Sequence, residues 1–369
     1  LSIIVVFTFL PHLLIEDALG FTVNTDTSSV YFYLATLGGG VIPFLFVRKT
    51  DNEDYSEWSK LLHRLLLDNS FISKQLFQIE KKLFLRPTNS EKSYVIVTGL
   101  ARAGTTALTK QLFETENFCS LSYANMPFLL APNLWGKFYK PKPTTTKERT
   151  HGDGVQFGFQ TIEALEEYFF KVNTNDAFIG RSELLQHKVG QDVYSDYRSY
   201  QQLVCKGDSE KVYLAKNNNL MLRYGSLRKF DEDFKAIVVV RNPIEHAVSL
   251  HKQHQRFSKL HSNDLFSLDY MNWLGHHEFG NNHKPFNLMT NLRSGFNPNE
   301  VNYWLACWVE YYQFVEQYQA DKNLIFVSHQ ALCNNPKSVL ESIRTRLNLN
   351  FTVQEKSPFN QPSFSEPKS

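Results

Sequence analysis

The chain has 369 residues, of which 21% are charged and 14% aromatic, and its formal net charge is +2. This composition is too apolar for a disordered chain, and the charge excludes the broad basic surface of a protein that binds nucleic acid. The cysteines are Cys119, Cys205, Cys307 and Cys333. Because they lie far apart and form no Cys-x-x-Cys pair, the sequence indicates neither a zinc site nor a disulfide framework and favours reduced, mostly buried thiols.

Residues 1–50 are predicted to be a hydrophobic, membrane-associated segment. Residues 1–15 are almost wholly apolar, and residues 30–47 carry no charge over nearly the length that a membrane-spanning helix needs. The glycines and the proline in the second stretch are better tolerated in a membrane helix than in a soluble one. Arg48 and Lys49 follow directly, so the positive-inside rule predicts a cytoplasmic protein, on the cytoplasmic face of a membrane. The alternative is a hydrophobic hairpin packed on the main domain.

Residues 51–90 are predicted to be an amphipathic helical linker. Two sets of apolar residues recur at helical spacing, with lysines and glutamates between them. The break between the two sets falls at residues 68–70, and a turn follows at residues 87–90. Packing on the core is favoured over docking of a partner.

Residues 94–112 have the layout of a phosphate-binding loop. Aromatic and β-branched residues predict a buried strand, a turn with Gly99 and Gly104 follows, and leucines at helical spacing come next. A helix N-terminus offers unpaired N–H groups and the positive end of its dipole to an anion. The glycine spacing nearly matches the nucleoside triphosphate motif, but Thr105 stands in the lysine position and Arg102 is the cation inside the loop. The stretch alone is equally compatible with a phosphate site not built for ATP or GTP and with an ordinary strand–turn–helix.

Two further predicted strands end at a cation. One ends in Lys216, and residues 237–240 form another that is followed by Arg241. Pro243 can begin a helix, because its missing N–H is not needed there. Ser249 then lies about two helical turns beyond Arg241. An arginine at a strand end and a serine on the next helix can converge on one phosphate.

At these motifs the sequence resembles the sulfotransferases that use 3′-phosphoadenosine 5′-phosphosulfate (PAPS), and it looks closest to their bacterial-type branch. Their first loop has Lys or Arg, a small residue and Gly-Thr-Thr. The corresponding residues here are Arg102, Ala103, Gly104, Thr105 and Thr106. Their second motif is Arg, then Asp or Asn, then Pro, with a Ser eight positions after the Arg. The corresponding residues here are Arg241, Asn242, Pro243 and Ser249.

The resemblance implies a role for each position. The first loop, with Arg102, would hold the 5′-phosphosulfate, and Arg241 and Ser249 would hold the 3′-phosphate. Lys216 would help with the charge on the leaving phosphate. In the small-molecule enzymes this strand ends Lys-x-His, but the His position here holds Asn218, whose amide cannot take a proton.

The general base must therefore come from elsewhere in the chain. His151 and Asp153 are candidates, because glycines around Asp153 let its carboxylate approach a ligand closely. A plain turn is the alternative interpretation of that stretch. The glutamates at 163–167, on a helix predicted over 161–172 and capped by Thr161, are also candidates, although solvent exposure is favoured for them.

Alternating strands and helices predict an α/β fold, with a parallel β-sheet flanked by helices and ligands at the carboxyl ends of the strands. The resemblance implies a P-loop nucleotide-kinase-like sulfotransferase fold at 91–350, before a loosely ordered tail at 351–369. The predicted function is transfer of a sulfuryl group from PAPS, as co-substrate, to a hydroxyl or amine acceptor of unknown class. No metal is required, since side chains and amides neutralise the leaving group. The alternatives are a P-loop kinase or NTPase and a non-catalytic, membrane-tethered nucleotide-binding module.

Overall fold

A computed structural model describes residues 57–87, 93–139, 162–208, 210–289 and 291–351, together with the backbone of four short strands outside these ranges. The strands, in chain order, are Phe32–Ala35 (β1), Val41–Phe44 (β2), Val95–Thr98 (β3), Phe118–Cys119 (β4), Lys147–Glu148 (β5), Gln156–Phe157 (β6), Leu184–Leu185 (β7), Val212–Lys216 (β8), Lys235–Val240 (β9), Phe286–Asn287 (β10) and Leu324–Ser328 (β11). The α-helices of the described ranges are Glu57–Leu67 (α1), Ser70–Phe84 (α2), Thr105–Phe113 (α3), Pro132–Phe138 (α4), Glu167–Asn173 (α5), Gln191–Val204 (α6), Tyr224–Arg228 (α7), Pro243–Asn263 (α8), Leu265–Leu274 (α9), Val301–Glu316 (α10), His329–Asn334 (α11) and Pro336–Leu347 (α12).

The main sheet has five strands in the order β11-β9-β3-β8-β4, and all its pairings are parallel. Every residue of the central strand β3 is buried, as are the four middle residues of β9. Parallel strands covered on both faces need apolar side chains throughout, which explains the continuous apolar runs that predicted these two strands. Smaller pairs join β7 to β10 in parallel, and β1 to β2 and β5 to β6 in antiparallel fashion.

Helices cover both faces of the main sheet. On the face of Val97, Leu108 of α3 packs in one core with Ile343 of α12. On the face of Ile96, the larger core includes Tyr311 of α10 together with α6. The predicted α/β fold is therefore confirmed, and the carboxyl ends of all five strands meet at one edge, where open sheets of this kind bind ligands.

The amphipathic stretch at residues 57–84 forms the two helices that its leucine spacing predicts. Asn69 caps the second of them, since its side chain accepts a hydrogen bond from the N–H of Ile72 at 3.1 Å. Phe77 is fully buried in the larger core. Both helices therefore lie close to the bounds expected from the sequence, and α2 packs on the core.

The stretch 30–47, interpreted from sequence as a membrane span, contains the antiparallel pair β1 and β2. A continuous membrane helix over these residues is therefore not what the structure shows. None of the helices in the described ranges has the length and apolar character of a membrane-spanning segment.

Cys119 of β4 and Cys205, directly after α6, form a disulfide, with their Cα atoms 5.1 Å apart. The reduced state predicted for these two residues is therefore wrong. They are 86 residues apart in sequence, and they meet because β4 pairs with β8 while α6 packs on that strand. Cys307 and Cys333 are free thiols, as predicted.

Candidate active site

The phosphate-binding loop is the tight turn between β3 and α3. Gly104 has φ +101°, and a Cβ at this position would lie 2.7 Å from Cδ2 of His329. Gly99 has φ +144°, and a Cβ there would lie 2.8 Å from the carbonyl oxygen of Val239. Both positions therefore require glycine, for conformation and for space. Arg102 also adopts a left-handed backbone conformation, with φ 68°, which is uncommon for a residue with a side chain.

The N-terminus of α3 is directed at the edge where the parallel strands end. Gly104, its N-cap residue, supplies no side-chain cap to the first N–H groups of the helix. The backbone N–H of Ala103 donates within the turn to the carbonyl of Leu100, at 3.1 Å. The first-turn N–H groups, beginning with those of Thr105 and Thr106, are therefore the ones that a phosphate would use. The Thr105 side chain is buried, whereas that of Thr106 is half-buried.

Arg241 brings the second motif into contact with this loop. It directly follows β9, and its Nη1 donates a hydrogen bond to the carbonyl oxygen of Arg102 at 3.2 Å. Its Nε is buried and has no hydrogen-bond partner among the described residues, with Oε2 of Glu245 3.8 Å away. Burial, together with the neighbouring charge of Arg102, lowers the pKa of Arg241 from its usual value, although Glu245 acts in the opposite direction. An anion here would satisfy a buried cationic donor.

The helix that follows Arg241 begins as the sequence predicts. Asn242 caps α8 by accepting hydrogen bonds from the N–H groups of Ile244 and Glu245, at 3.1 and 3.2 Å. Pro243 occupies the first helical position. Ser249 is half-buried on α8, six residues and about 9 Å along the helix from Pro243.

Lys216 ends β8 directly beside the strand that leads into the loop. The N–H of Asn217 donates to the carbonyl of Val97 at 2.9 Å, which holds the end of β8 against β3. Lys216 is only 8% exposed, and its Nζ lies 3.0 Å from Oε2 of Glu163, which is 7% exposed. A cation and a carboxylate thus form a buried pair at the edge where the loop and Arg241 lie.

The other glutamates of the 163–167 stretch have structural partners. Glu166 accepts hydrogen bonds from the hydroxyls of Tyr197 and Tyr213 and from Nδ2 of Asn217. Burial raises the pKa of Glu166, and these hydrogen bonds limit the increase. The solvent exposure expected for this stretch is wrong, because Glu163, Glu166 and Glu167 are all buried.

Glu167 belongs to a second buried network. Both oxygens of Glu167 bind the guanidinium of Arg223, at 2.7 and 2.6 Å. The helix here, α5, begins only at Glu167, so the expected helix start at Thr161 is not observed; Thr161 itself lies outside the described residues.

Asn218, in the position where the small-molecule enzymes have histidine, donates from Nδ2 to Oε1 of Glu278 at 3.2 Å. Burial alone would raise the pKa of Glu278, but His276, the Asn218 hydrogen bond and Lys216 together bring it below its usual value. His276 in turn contacts the carbonyl oxygen of Ala164 through Nε2 at 2.8 Å. The departure at Asn218 is therefore part of a polar network that borders the Lys216–Glu163 pair.

A model of the sulfotransferase domain matches residues 92–369, which is most of the chain. The chain belongs to the sulfotransferase family. It is therefore an enzyme of sulfuryl transfer, and its family generally takes the sulfuryl group from PAPS. A comparison with curated proteins found no match.

Solved sulfotransferase structures resemble this sulfotransferase at low sequence identity. One, from Mycobacterium tuberculosis, is 16% identical and has a TM-score of 0.45, covering 79% of this chain and 77% of its own. A second, from Mycobacterium avium, is 15% identical and has a TM-score of 0.46, covering 78% and 71%. A third, from Alicyclobacillus acidocaldarius, is 14% identical and has a TM-score of 0.37, covering 74% and 88%.

Two histidines at the loop of the sulfotransferase were missed as site residues in the sequence. His246 of α8 is buried, and its Nε2 lies 2.8 Å from the carbonyl oxygen of Ala101. Burial, with Arg241 nearby, lowers the pKa of His246 to about 3. His329, which packs over Gly104, has its pKa lowered to about 4 by burial and Arg241. His329 follows β11, so its place after an apolar run was the signal that could have identified it.

The structure brings together the loop at residues 99–106, Lys216 and Arg241, all at one edge of the sheet. His151 and Asp153, the candidate bases, lie outside the described residues. Among the residues that the structure does describe, no group of three or more His, Cys, Asp or Glu side chains could hold a metal ion.

Proposed function

We propose that the phosphate-binding loop and Arg241 hold PAPS, and that its sulfuryl group is transferred to a hydroxyl or amine of the acceptor. The observation that carries this proposal is the hydrogen bond from Arg241 to the carbonyl oxygen of Arg102, because it joins the two phosphate motifs in one site. The glycine turn, the uncapped helix α3 and the buried Nε of Arg241 all suit a doubly phosphorylated ligand.

The loop would bind the 5′-phosphosulfate. The first-turn N–H groups of α3 offer directed donors, and the helix dipole adds a partial positive charge. Arg102 and the half-buried hydroxyl of Thr106 supply further donors at the same end. Donors fixed before the reaction begins stabilise charge that develops on the leaving phosphate.

Arg241 and Ser249 would bind the 3′-phosphate, which distinguishes PAPS from ATP. A guanidinium matches a phosphate with two parallel hydrogen bonds. The P-loop kinase alternative is not supported, because the family is that of sulfotransferases and the lysine position holds the buried Thr105. A member that binds nucleotide without turnover would need to have lost the groups that act in the transfer step, yet Lys216, proposed to act on the leaving phosphate, is present.

Lys216 would neutralise charge on the departing phosphate. Its position at the end of β8, beside β3, puts it next to the strand that enters the loop. With Arg102 and the amides of α3 also acting on the phosphate, we expect transfer without a metal ion.

The test is calorimetric binding of 3′-phosphoadenosine 5′-phosphate, with ADP and ATP for comparison. We expect the 3′-phosphorylated nucleotide to bind most tightly and Arg241→Ala to weaken it by about 10- to 100-fold, the value of one or two charge-assisted hydrogen bonds. Arg346→Ala, at an exposed arginine of α12, is the matched control and should bind as the wild type does. Preference for ATP, or no binding by folded protein, would refute the proposal.

The location of the protein and its association with a membrane stay predictions. Arg48 and Lys49 favour the cytoplasmic side, whereas the Cys119–Cys205 disulfide favours an oxidising compartment, where such bonds persist. The acceptor is proposed to be a small or macromolecular substrate other than nucleic acid, since the chain has a net charge of only +2.

A further inference from the structure

We propose that Glu163 is the general base that deprotonates the acceptor, and that its ion pair with Lys216 keeps it a weak base until bound nucleotide draws Lys216 away. This inference rests on the proposed function. It selects one of the candidate bases, which were His151, Asp153 and the glutamates at 163–167, and it couples the acceptor end of the site to the donor end.

Glu163 lies next to Lys216 in the structure. Its Oε2 lies 3.0 Å from Nζ of Lys216, and both side chains are buried. Lys216 is in register with Val97 of β3, immediately before Thr98 and the phosphate loop. Glu163 is therefore the carboxylate that directly contacts the cation proposed to act on the leaving phosphate.

Glu166, Glu167 and Asn218 are hydrogen-bonded to other residues. Glu166 is held by two tyrosines and Asn217, and Glu167 by Arg223, so neither carboxylate contacts Lys216 in this arrangement. Asn218 has no basic atom in its amide and is already bound to Glu278. Glu278 is the remaining rival, because its charge also interacts with Lys216.

The ion pair between Glu163 and Lys216 would couple nucleotide binding to the basicity of Glu163. A carboxylate beside an ammonium group is a weak base, because the cation favours its charged form. A phosphate placed by the loop competes for Lys216, and as the ammonium turns towards it, Glu163 loses the close contact with this cation. The carboxylate then becomes more basic at the moment when the donor is in place, which limits proton abstraction in its absence.

Glu163 takes the proton of the acceptor hydroxyl, and the acceptor oxygen forms a new bond to sulfur. The bond between sulfur and the bridging oxygen of the 5′-phosphate breaks, and its electron pair leaves on that oxygen beside Lys216. The products are the sulfated acceptor, 3′-phosphoadenosine 5′-phosphate and a protonated Glu163, which then returns its proton to solvent.

The experiment measures proton uptake when 3′-phosphoadenosine 5′-phosphate binds. Calorimetric titrations in two buffers of different ionisation enthalpy give the number of protons taken up. They are carried out at about pH 6, because a carboxylate that loses its cation partner can gain a proton near this pH. We expect the wild type to take up more protons than Glu163→Gln, which should bind the nucleotide at least as tightly, because the phosphate no longer competes with a carboxylate for Lys216. Glu278→Gln, the variant of the rival carboxylate, should keep more of the wild-type uptake than Glu163→Gln does, and Glu341→Gln, at an exposed glutamate of α12, is the matched control and should keep all of it.

Turnover provides the second measurement on the same variants. The acceptor is the hydroxyl compound, from a panel, that the wild type sulfates fastest. With this acceptor, Glu163→Gln should lower kcat by about 100- to 10,000-fold, the range for loss of a general base. Equal proton uptake by wild type and Glu163→Gln would overturn the proposal, as would loss of uptake or of turnover in Glu278→Gln but not in Glu163→Gln. Absence of nucleotide binding by folded wild type would instead refute the proposed function.

Discussion

Gly104 occupies a position in the phosphate-binding loop that a side chain cannot enter without rearrangement. Its φ of +101° is unfavourable for any residue with a Cβ, and that Cβ would collide with the ring of His329. The sequence signals this residue clearly, because the glycine spacing and the flanking strand and helix fall within a few residues. Lys216 and Arg241 are equally visible, since each closes or follows an apolar run. The contact of Lys216 with Glu163 is not, because the partners are 53 residues apart.

At the residue scale we predict that Gly104→Ala weakens nucleotide binding and destabilises the fold by about 1–3 kcal/mol, from backbone strain and the clash with His329. Thermal unfolding and calorimetry with 3′-phosphoadenosine 5′-phosphate measure the two effects. Gly136→Ala is the matched control: it lies in α4 with no atom within 4 Å of a new Cβ. That variant should bind normally and be neutral or slightly stabilised. Wild-type binding and stability in Gly104→Ala would contradict this account of the loop.

At the scale of elements, the sequence locates the strands of the sheet better than the connections between them. Residues 95–97 of β3 and 236–239 of β9 are apolar because both faces of these strands are buried there, and this pattern is visible in the sequence. The helix expected from residue 161 instead begins at Glu167. Its glutamates resemble an exposed helix face in sequence, but partners from distant segments, including Arg223 and Tyr213, allow them to be buried.

The disulfide between β4 and α6 leads to a prediction at the same scale. It closes a loop of 86 residues, so breaking it should lower the free energy of unfolding by about 4 kcal/mol through the entropy of the unfolded chain. Chemical denaturation of the wild type with and without reductant, beside the Cys119→Ser/Cys205→Ser double variant, measures this loss. Cys333→Ser, at a free cysteine, is the control and should respond to reductant as the wild type does. Equal stability of the wild type with and without reductant would show that the bond is not formed.

At the scale of the whole molecule, several histidines are buried in the neutral form. Burial lowers the pKa of His246 to about 3 and those of His254 and His277 to about 4. Their number and positions are evident in the sequence, but their burial is not, because each is enclosed by segments from elsewhere in the chain. His246, for example, contacts the carbonyl oxygen of Ala101, 145 residues away in the sequence.

These depressed pKa values predict a loss of stability in mild acid. The unfolded chain binds protons at its histidines below about pH 6.5, whereas the folded chain resists protonation until near pH 4, so stability falls as the pH decreases between these values. Thermal unfolding across this range should show a falling midpoint, and His277→Asn should reduce the slope. Glu166, whose pKa is raised by burial, acts in the opposite direction and moderates the effect. An unchanged midpoint over the range would contradict the burial of neutral histidines.

The central claim is that one edge of the sheet holds a nucleotide with phosphates at both its 5′ and 3′ positions. A crystal structure with bound 3′-phosphoadenosine 5′-phosphate tests it most directly. We predict the 5′-phosphate at the N-terminus of α3, within hydrogen-bond distance of the N–H groups of Thr105 and Thr106, and the 3′-phosphate on the guanidinium of Arg241. A nucleotide bound elsewhere, or one whose 3′-phosphate does not contact Arg241, would contradict the account.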